Sequence, residues 1–315
     1  MKVLITGVHG FVGSNLVAAL GDKYEIYGLD IVGPVLPGVL HTFSWDDLEA
    51  GHIPPVDAVV HLAALAHDIR NRNAADEYYK VNVGLTQKVF DWFLKSVAER
   101  FVFFSSVKAV ADSVEGDPLV EDVIASPVGL YGKSKFMAEE YIRANFGIRG
   151  RNQSKKVYIL RPCMIHGPGN KGNLNLLYNV VRKGIPWPLG SFENRRSFTS
   201  VDNLCFVVDR LLAGDVPSGV YHMGDDEALS TNELVALIYD SLGRKPRIWH
   251  IDRRVMTGVA SLGSLLNLPL DSDRLRKLTE NYVVSNTKIK AALGIRQMPV
   301  RAADGIRKTI ESFQH

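Results

Sequence analysis

The chain has 315 residues, of which 46% are hydrophobic and 23% are charged, as is typical of soluble globular proteins. Its formal charge is only +3, which gives no reason to expect a nucleic-acid partner. No uninterrupted apolar stretch has the length of a membrane span, so we expect no membrane partner and no leader segment. Cys163 and Cys205 lack the spacing of a metal site; we expect no metal and two reduced cysteines in a cytoplasmic protein.

The chain opens with a pattern that predicts a strand, a glycine-rich turn and a helix. Residues 3–5 are apolar, as in a buried parallel strand, and residues 11–20 have apolar positions at helical spacing. Between them, Gly7 permits a tight turn, Gly10 leaves room for a pyrophosphate, and Gly13 lets helix and strand pack closely. The helix N-terminus offers free N–H groups and a positive dipole end to phosphates. This turn therefore predicts dinucleotide binding.

A second apolar run, residues 26–29, ends in Asp30, about twenty residues after the last of these glycines. An acid at this position would accept hydrogen bonds from the adenosine ribose hydroxyls, which favours NAD over its 2′-phosphorylated relative. We therefore predict NAD as the cofactor.

Strands and helices alternate along the first two thirds of the chain. Apolar runs predict strands over 41–43, 56–64, 101–104 and 157–160. Helical spacing predicts helices between and after these strands, over 45–50, 76–98, 132–146, 174–183 and 203–213. Two more helices are predicted towards the C-terminus, over 232–242 and 301–313. Asp202 is the candidate cap of the helix at 203–213. This alternation is typical of an α/β fold with a doubly wound parallel (Rossmann) sheet. We predict a Rossmann domain over 1–166, joined by parts of about 197–222, and a smaller, mixed α/β substrate domain over 167–315.

Tyr131 and Lys135 lie four residues apart in a predicted helix, so they share one face of it. A phenol has a pKa of about 10 and is a poor base at neutral pH. A nearby ammonium and the positive charge of oxidised nicotinamide would lower that pKa, so Tyr131 could act as an acid and base. Lys135 could also hold the nicotinamide ribose. Ser106, at the end of a strand, could orient and polarise a carbonyl.

Together these features resemble the extended short-chain dehydrogenase/reductase superfamily, and within it the NAD-dependent sugar-nucleotide epimerase/dehydratase branch. The resemblance runs nearly end to end, and it also includes His61-Leu-Ala-Ala64, Ser105-Ser106 and Arg161-Pro162. It implies that Tyr131, Ser106 and Lys135 are the catalytic residues. It also implies a set of cofactor-binding residues: Gly7, Gly10, Phe11, Val12, Gly13, Asp30, Ile31, Leu62, Ala63, Ala64, Asn82, Ser105, Tyr131, Lys135 and Pro162.

The resemblance further implies a nucleoside-diphosphate sugar, most often a UDP-sugar, in the C-terminal domain. Arg195 or Arg196 would meet the diphosphate, because a planar guanidinium suits phosphate oxygens, and Arg276 is a further candidate. The base and phosphates would lie near Asn173, Asn175, Pro188 and Leu189. Trp187 could equally be a core residue, and His9, His67 and His166 are expected to be structural or solvent-facing. The family usually forms homodimers through two long helices, here 76–98 and 132–146, although their outer faces could equally be solvated.

The segment Ser106-Val107-Lys108 departs from the family members that eliminate water, which resemble Thr-Asp-Glu there. A valine cannot transfer a proton, and a lysine has the wrong charge to replace the acid, so dehydration is disfavoured. We predict an NAD-dependent sugar-nucleotide 4-epimerase that works by transient oxidation at C4, with Tyr131 removing the C4 hydroxyl proton. Two alternatives remain open: an NAD(P)H-dependent 4-ketoreductase of a 4-keto-6-deoxy sugar nucleotide, and a non-catalytic NAD-binding redox sensor.

Overall fold

The computed structural model describes residues 1–31, 33, 35–66, 74–149, 154–170, 172–266 and 271–314. His67 lies outside the described residues. The strands, in chain order, are β1 (Lys2–Thr6), β2 (Glu25–Leu29), β3 (Val39–Phe43), β4 (Ala58–His61), β5 (Arg100–Phe104), β6 (Lys156–Pro162), β7 (Met164–His166), β8 (Phe198–Ser200) and β9 (Gly219–Met223). The α-helices are α1 (Phe11–Leu20), α2 (Trp45–Ala50), α3 (Ala74–Tyr78), α4 (Thr86–Lys95), α5 (Leu130–Arg149), α6 (Asn173–Arg182), α7 (Val201–Ala213), α8 (Thr231–Ser241), α9 (Arg253–Leu266), α10 (Ser272–Thr279), α11 (Thr287–Leu293) and α12 (Ala302–Glu311).

Seven of the strands form one parallel sheet in the order β3-β2-β1-β4-β5-β6-β9. The chain winds outward from β1 through β2 to β3, and then returns to the other side of β1 as β4. A crevice opens at the carboxyl ends of the strands where the winding reverses, here between β1 and β4. This is the predicted doubly wound α/β fold. The last strand of the sheet, β9, comes from the second half of the chain, and β7 pairs with β8 separately.

Two helical layers cover the sheet. Leu16 of α1 and Leu204 of α7 pack on one face, and Phe90 of α4 and Ala138 of α5 pack on the other. A further core joins α6, α8, α9 and α12 through Leu174, Leu234, Met256 and Ile306. Within the described residues, no helix combines the length and apolar character needed to cross a membrane.

The strand predicted over 56–64 is shorter in the structure, where it is β4, and two further local predictions differ. The helix predicted over 76–98 contains a π-helical segment, Tyr79–Leu85, between α3 and α4. π-Helical turns are rare and frequently lie at functional sites. The predicted cap Asp202 is wrong: Ser200 caps α7 by accepting a hydrogen bond from the N–H of Asn203 at 3.2 Å. Asp202 instead lies in the first turn of α7, where the positive end of the helix dipole stabilises a carboxylate.

Candidate active site

The glycine turn is packed against the residues that follow β4. Gly7 has a φ of +69°, and a Cβ on it would lie 2.9 Å from the backbone nitrogen of Ala63. A Cβ on Gly13 would lie 2.4 Å from the carbonyl oxygen of Gly7. Both positions therefore exclude a side chain. The glycine turn therefore packs directly against the partly buried residues 62–64, at the point where the winding of the sheet reverses.

Gly10 is the N-cap residue of α1 and has no side chain to cap the helix. Among the residues that the structure describes, no side chain accepts a hydrogen bond from the first N–H groups of this helix. These groups belong to Phe11, Val12 and Gly13. An uncapped helix N-terminus beside a side-chain-free turn suits a pyrophosphate. The arrangement fits the dinucleotide that the sequence predicts.

Asp30 lies at the outer end of the same turn. Its Oδ2 accepts a hydrogen bond from the N–H of His9 at 3.0 Å, and its Oδ1 accepts one from the N–H of Ile31 at 2.8 Å. A carboxylate oxygen has more than one acceptor site, so both oxygens could also receive ribose hydroxyls. The side chain of Ile31 is exposed, as at the mouth of a site.

Thr6 joins the turn to the end of β4. Its hydroxyl oxygen accepts hydrogen bonds from the N–H groups of Leu62 and Ala63, at 3.2 and 3.1 Å. The residue is fully buried. Thr6 therefore fixes the backbone of Leu62 and Ala63, which the resemblance implies are cofactor-binding residues. Sequence reasoning missed Thr6; a polar residue at the carboxyl end of an otherwise apolar strand was the available signal.

His61 extends this contact into a buried chain of hydrogen bonds. Its Nδ1 lies 2.6 Å from the hydroxyl of Thr6, and its Nε2 lies 3.0 Å from that of Thr86. Thr86 donates its own proton to the carbonyl oxygen of Asn82 at 2.7 Å. The balance of donors and acceptors therefore places the proton of a neutral His61 on Nε2. Burial lowers the pKa of His61 to about 3, and Lys135 contributes to the decrease.

Asn82, which the sequence predicts at the cofactor, is fully buried in the π-helical segment. Its side chain bonds both backbone groups of Leu65, accepting at 2.7 Å and donating at 3.1 Å. It also donates to the hydroxyl of Ser134 on α5 at 2.9 Å. Through these hydrogen bonds, Asn82 joins the residues that follow β4 to α5, the helix that carries Tyr131.

Tyr131 lies in the first turn of α5, partly buried, next to Ser106 at the end of β5. Burial raises the pKa of Tyr131, and the neighbouring hydroxyl of Ser106 opposes that increase. The ring of Tyr78 packs edge-on, with ring centroids 6.4 Å apart. The structure therefore brings together the two hydroxyl groups predicted for the chemistry.

Lys135, four residues after Tyr131, is buried against the end of β5. Its ammonium is buried and donates to the carbonyl oxygen of Phe104 at 2.7 Å. Burial lowers the pKa of Lys135 to about 7, against the attraction of Glu139. In the chain alone burial raises the pKa of Tyr131, because burial penalises the charged form; the lower pKa expected with both Lys135 and oxidised nicotinamide present stays a prediction.

Ser105 is buried and belongs to a cluster of charged side chains. Its hydroxyl donates to Glu139 at 2.5 Å. Glu139 also receives two hydrogen bonds from Arg161, at 2.8 and 2.6 Å, and one from Arg143 at 2.8 Å. The cluster ties α5 to the ends of β5 and β6, where Pro162, the last predicted cofactor contact, is buried. Ser105 therefore supports the position of Tyr131 rather than offering a free hydroxyl.

Gly132 sets the distance between α5 and the loop after β5. A Cβ on it would lie 2.3 Å from the carbonyl oxygen of Lys108. The first turn of α5 can approach this loop only because residue 132 has no side chain. Sequence reasoning missed this contact; the signal was a glycine within a helix, where glycine is unfavourable.

Lys108 connects the strand end to the C-terminal domain. Its ammonium donates to the carbonyl oxygen of Asp112 at 2.7 Å and lies 4.6 Å from the ring centroid of Tyr282. The hydroxyl of Tyr282 donates to the carbonyl oxygen of Ala111 at 2.6 Å. Burial lowers the pKa of Lys108, and the positive charge of nearby Arg196 adds to this. The C-terminal domain is thus docked beside Ser106.

The three predicted phosphate contacts lie in different surroundings. Arg196 is partly buried, donates to the carbonyl oxygen of Lys277, and lies near Lys108. Arg195 is exposed and donates to the carbonyl oxygen of Ala228 at 2.9 Å. Arg276 is exposed on α10, 3.6 Å from Asp273.

The other predicted substrate residues are spread over the C-terminal domain. Asn173 is exposed in the first turn of α6, and Asn175 lines a cleft that also contains Asn170, Asn179 and Arg182. Pro188 is partly buried. Leu189 belongs to the core of this domain and is 2% exposed. Trp187 belongs to the same core, where its indole N–H donates to Asn232 at 3.0 Å.

Of the three histidines His9, His67 and His166, two have hydrogen-bond partners within the described residues. His166 is fully buried, with Nδ1 at 2.9 Å from the hydroxyl of Thr309 and Nε2 at 3.4 Å from Asp225. The ring of His9 lies 3.3 Å from the hydroxyl of Thr42. Both contacts agree with the structural role expected for these residues.

Comparison with known proteins agrees with this geometry. A model of the NAD dependent epimerase/dehydratase family matches residues 3–224. A UDP-glucose 4-epimerase of Vibrio cholerae is 30% identical over 99% of this chain and 95% of its own length. An N-acetyl-alpha-D-glucosaminyl-diphospho-ditrans,octacis-undecaprenol 4-epimerase of Escherichia coli O157:H7 is 30% identical over 92% of this chain and 84% of its own length. The solved structure of a UDP-N-acetylglucosamine 4-epimerase of Bacillus cereus superposes with a TM-score of 0.78 at 20% identity, covering 100% of both chains.

The family match covers the glycine turn, Asp30, Ser106, Tyr131 and Lys135, and the whole-chain relatives extend it through the C-terminal domain. The likeness to the solved structure concerns the fold. The resemblance inferred from the sequence is confirmed. The chain belongs to the NAD-dependent epimerase/dehydratase family and is an NAD-dependent enzyme of the extended short-chain dehydrogenase/reductase type.

Proposed function

We propose that the chain is a 4-epimerase of a nucleoside-diphosphate sugar, with a UDP-sugar as the first candidate. The observation that carries this proposal is the pairing of Tyr131 with Ser106 at the carboxyl edge of the sheet, where the glycine turn also lies. The name of the Vibrio cholerae relative supports the same reaction. Val107 and Lys108, which follow Ser106, offer no acid for a dehydration.

Within this proposal, Tyr131 takes the proton of the C4 hydroxyl and later returns it to the C4 oxygen on the other face of the sugar. The hydroxyl of Ser106 orients that oxygen at both stages. When bound beside the sugar, oxidised NAD would accept the hydride from C4 and give it back, and its positive charge would favour the phenolate of Tyr131. Because burial raises the pKa of Tyr131 in the chain alone, the phenol keeps its proton until the site is filled.

The proposed cofactor contacts are the uncapped N–H groups of α1 for the pyrophosphate and Asp30 for the adenosine ribose. Lys135 lies on the same helix face as Tyr131 and would hold the nicotinamide ribose. A ribose hydroxyl would then accept a hydrogen bond from the ammonium in place of the water that burial removes. The remaining assignments from the sequence are kept as proposals. Asn82 and Ser105 enter as positioning residues, because their side chains are already engaged within the protein.

For the diphosphate we favour Arg196 over Arg195. A 4-keto sugar must turn within the site while its diphosphate stays anchored. Arg196 lies near Lys108, which follows Ser106 by two residues, whereas Arg195 is exposed and directed towards Ala228. A partly buried guanidinium binds phosphate oxygens more strongly than a fully solvated one.

The deciding experiment is an NMR assay with UDP-glucose and UDP-N-acetylglucosamine and no added cofactor. The proposal predicts inversion at C4, because NAD is regenerated in each turnover and stays bound. If the protein instead consumes one reduced cofactor for each 4-keto sugar and inverts neither substrate, it is the ketoreductase. Cofactor binding without turnover of any of these sugars would identify the redox sensor.

A lipid-linked sugar diphosphate is a second candidate substrate. The Escherichia coli O157:H7 relative is named for a substrate of this class. Leu262 and Leu265 of α9 are 59% and 77% exposed, so the C-terminal domain presents apolar surface to its surroundings. The same NMR assay with N-acetylglucosamine diphosphoundecaprenol, supplied in detergent micelles, distinguishes the two substrate classes.

The assignment of domains is also a proposal: cofactor binding over 1–166 with parts of 197–222, and sugar-nucleotide binding over 167–315. The packing of α7 against α1 supports the interleaved boundary. We further propose a homodimer through α4 and α5, which lie side by side with Tyr141 donating to Asp91 at 2.9 Å. The free, buried cysteines, Cys163 and Cys205, support a cytoplasmic location.

A further inference from the structure

The helix α9 carries more apolar surface than its neighbours cover. One row of residues is buried against the core of the C-terminal domain: Met256, Ala260 and Gly263. A second apolar row is exposed: Val255, Val259, Leu262 and Leu266. At about 100° per residue the two rows run side by side along the helix. Burial against the protein therefore accounts for only one of them.

The exposed row is part of a larger patch, which we call the α9 apolar face: Val255, Val259, Leu262, Leu265 and Leu266. These side chains are between 45% and 77% exposed. Trp249, which precedes the helix, is 54% exposed. Single exposed apolar residues are common on protein surfaces, but a contiguous row marks an interaction surface.

The stretch of sequence that contains this face differs in net charge from the rest of the chain. Residues 244–277 contain eight Lys and Arg against three Asp and Glu, so this segment carries +5 and the remainder of the chain carries −2. Arg253 and Arg254 are exposed in the first turn of α9. Arg276 and Lys277 are exposed on α10, which packs against α9. Positive charge therefore lies at the N-terminal end of the α9 apolar face and on the helix that packs against α9.

We propose that the α9 apolar face docks on the surface of an anionic lipid bilayer, with the helix lying in the plane of the interface. Leucine and valine side chains enter the boundary between headgroups and acyl chains, the arginines meet lipid phosphates, and Trp249 lies at headgroup depth. Anionic lipids attract nearby Lys and Arg over roughly a Debye length. The proposal is independent of the reaction that the enzyme catalyses.

A bilayer fits this face better than a second copy of the chain. Two copies joined through α9 would bring two segments of charge +5 together, and like charges across an interface oppose association. The absence of a membrane-spanning stretch does not argue against this proposal. Polar residues such as Thr257 and Ser261 interrupt the apolar pattern of α9, and a helix that lies on a membrane needs only one apolar face.

Co-sedimentation of the full-length protein with vesicles tests this proposal. One vesicle preparation contains phosphatidylglycerol and phosphatidylcholine, and the other contains phosphatidylcholine alone. We expect binding to the anionic vesicles that weakens as salt is added. The double variant Leu262→Asn with Leu265→Asn should lower the partition coefficient by about tenfold or more, because two leucines no longer enter the interface. Both side chains are exposed, so the variant should fold.

The control is Leu176→Asn, which changes a leucine that is 65% exposed on α6 instead of α9. It should bind vesicles like the wild-type protein. Turnover of a soluble UDP-sugar should be the same in all three proteins, which separates failure of docking from failure of the proposed reaction. The proposal is overturned if the wild-type protein ignores anionic vesicles, if the double variant binds as well as the wild type, or if the substitutions abolish a lipid-free oligomer seen by sedimentation.

Discussion

The two sides of the candidate site are built in different ways. On the side of the sheet, neutral groups that are 0–1% exposed form a continuous chain of hydrogen bonds from Thr6 through His61 and Thr86 to Asn82. On the side of the C-terminal domain, the contacts are made by charged groups that remain partly exposed, chiefly Lys108 and Arg196.

Because of this difference, the sheet side of the site is rigid and the side of the C-terminal domain can rearrange around a ligand. Buried hydrogen bonds strengthen one another in a low dielectric and are costly to break, so the sheet side holds Tyr131 and the glycine turn in place before any ligand arrives. Exposed charged contacts contribute little and rearrange at low cost. The C-terminal side can therefore accept a sugar that has to turn. Substitutions on the sheet side should accordingly have the larger effects.

The strongest test of the fixed side is Tyr131→Phe, which removes the hydroxyl and keeps the ring against Tyr78. We expect kcat to fall by about a thousandfold, the range of general acid–base catalysis. NAD affinity, measured by calorimetry, should change little. Turnover near the wild-type value would remove Tyr131 from the chemistry, and an equal loss of NAD affinity would mean that the variant disturbs the fold.

The next test changes the position of Tyr131 without touching the phenol. In Gly132→Ala the new methyl group would meet the carbonyl oxygen of Lys108, so α5 or the strand-end loop must shift. A displacement of about an ångström at a reacting group costs on the order of a hundredfold in kcat. Gly129→Ala is the matched control, because a Cβ there meets nothing within 4 Å. Equal activity of the two variants would contradict a rigid sheet side.

Asp30→Ala tests the cofactor end of the sheet side. The variant loses the acceptors for the ribose and for the N–H of His9. Hydrogen bonds to a charged group are worth about 1.5–3 kcal/mol, so NAD affinity should fall by about tenfold to a hundredfold. Affinity for the 2′-phosphorylated dinucleotide should fall less, because the carboxylate no longer repels its phosphate. Equal losses of affinity for both dinucleotides would show that Asp30 only stabilises the glycine turn and does not bind the ribose.

The parts of the site that local patterns encode could be predicted from the sequence. The glycine turn, Asp30, and the spacing of Tyr131 and Lys135 each depend on residues that are close in the chain. The strands of the parallel sheet could also be predicted, because each buried strand is a continuous apolar run in the sequence. The short helix at 45–50 coincides with its prediction.

What could not be predicted depends on distant partners. Asn82 bonds Ser134, 52 residues away, and Ser105 bonds Glu139, 34 residues away, so neither role is visible in a local pattern. The direction of the pKa shift of Tyr131 follows from its burial, which spacing along a helix does not determine.

On the adaptable side, Lys108→Met keeps the length of the side chain and removes its charge. The contacts of the ammonium with Asp112 and the ring of Tyr282 are lost, so the C-terminal domain should be less well docked. We expect kcat/KM for a UDP-sugar to fall by about three- to tenfold, mostly through KM, as for a partly exposed charged contact. A loss as large as that of Tyr131→Phe would contradict the division of the site into fixed and adaptable sides.

The smallest effect concerns how the buried neutral groups respond to acid. Burial lowers the pKa of His61 to about 3 and that of His222 to about 4, against an ordinary value near 6.5. In the native state both rings stay neutral down to those values, whereas the unfolded chain takes up protons below about pH 6.5. Because the unfolded state then binds more protons, the free energy of unfolding should fall as the pH falls from 6.5 towards 4.

Denaturant unfolding at several pH values measures this slope. His61→Gln and His222→Gln should each reduce it by up to about 1.4 kcal/mol per pH unit, the value for one proton. The exposed His250→Gln is the control variant. The slope is informative even if a variant is less stable at every pH, because it counts protons rather than contacts. An unchanged slope in His61→Gln would mean that this ring is protonated in the native state. The neutral chain of hydrogen bonds from Thr6 to Asn82 would then be wrong, and the sheet side would be no more fixed than the other.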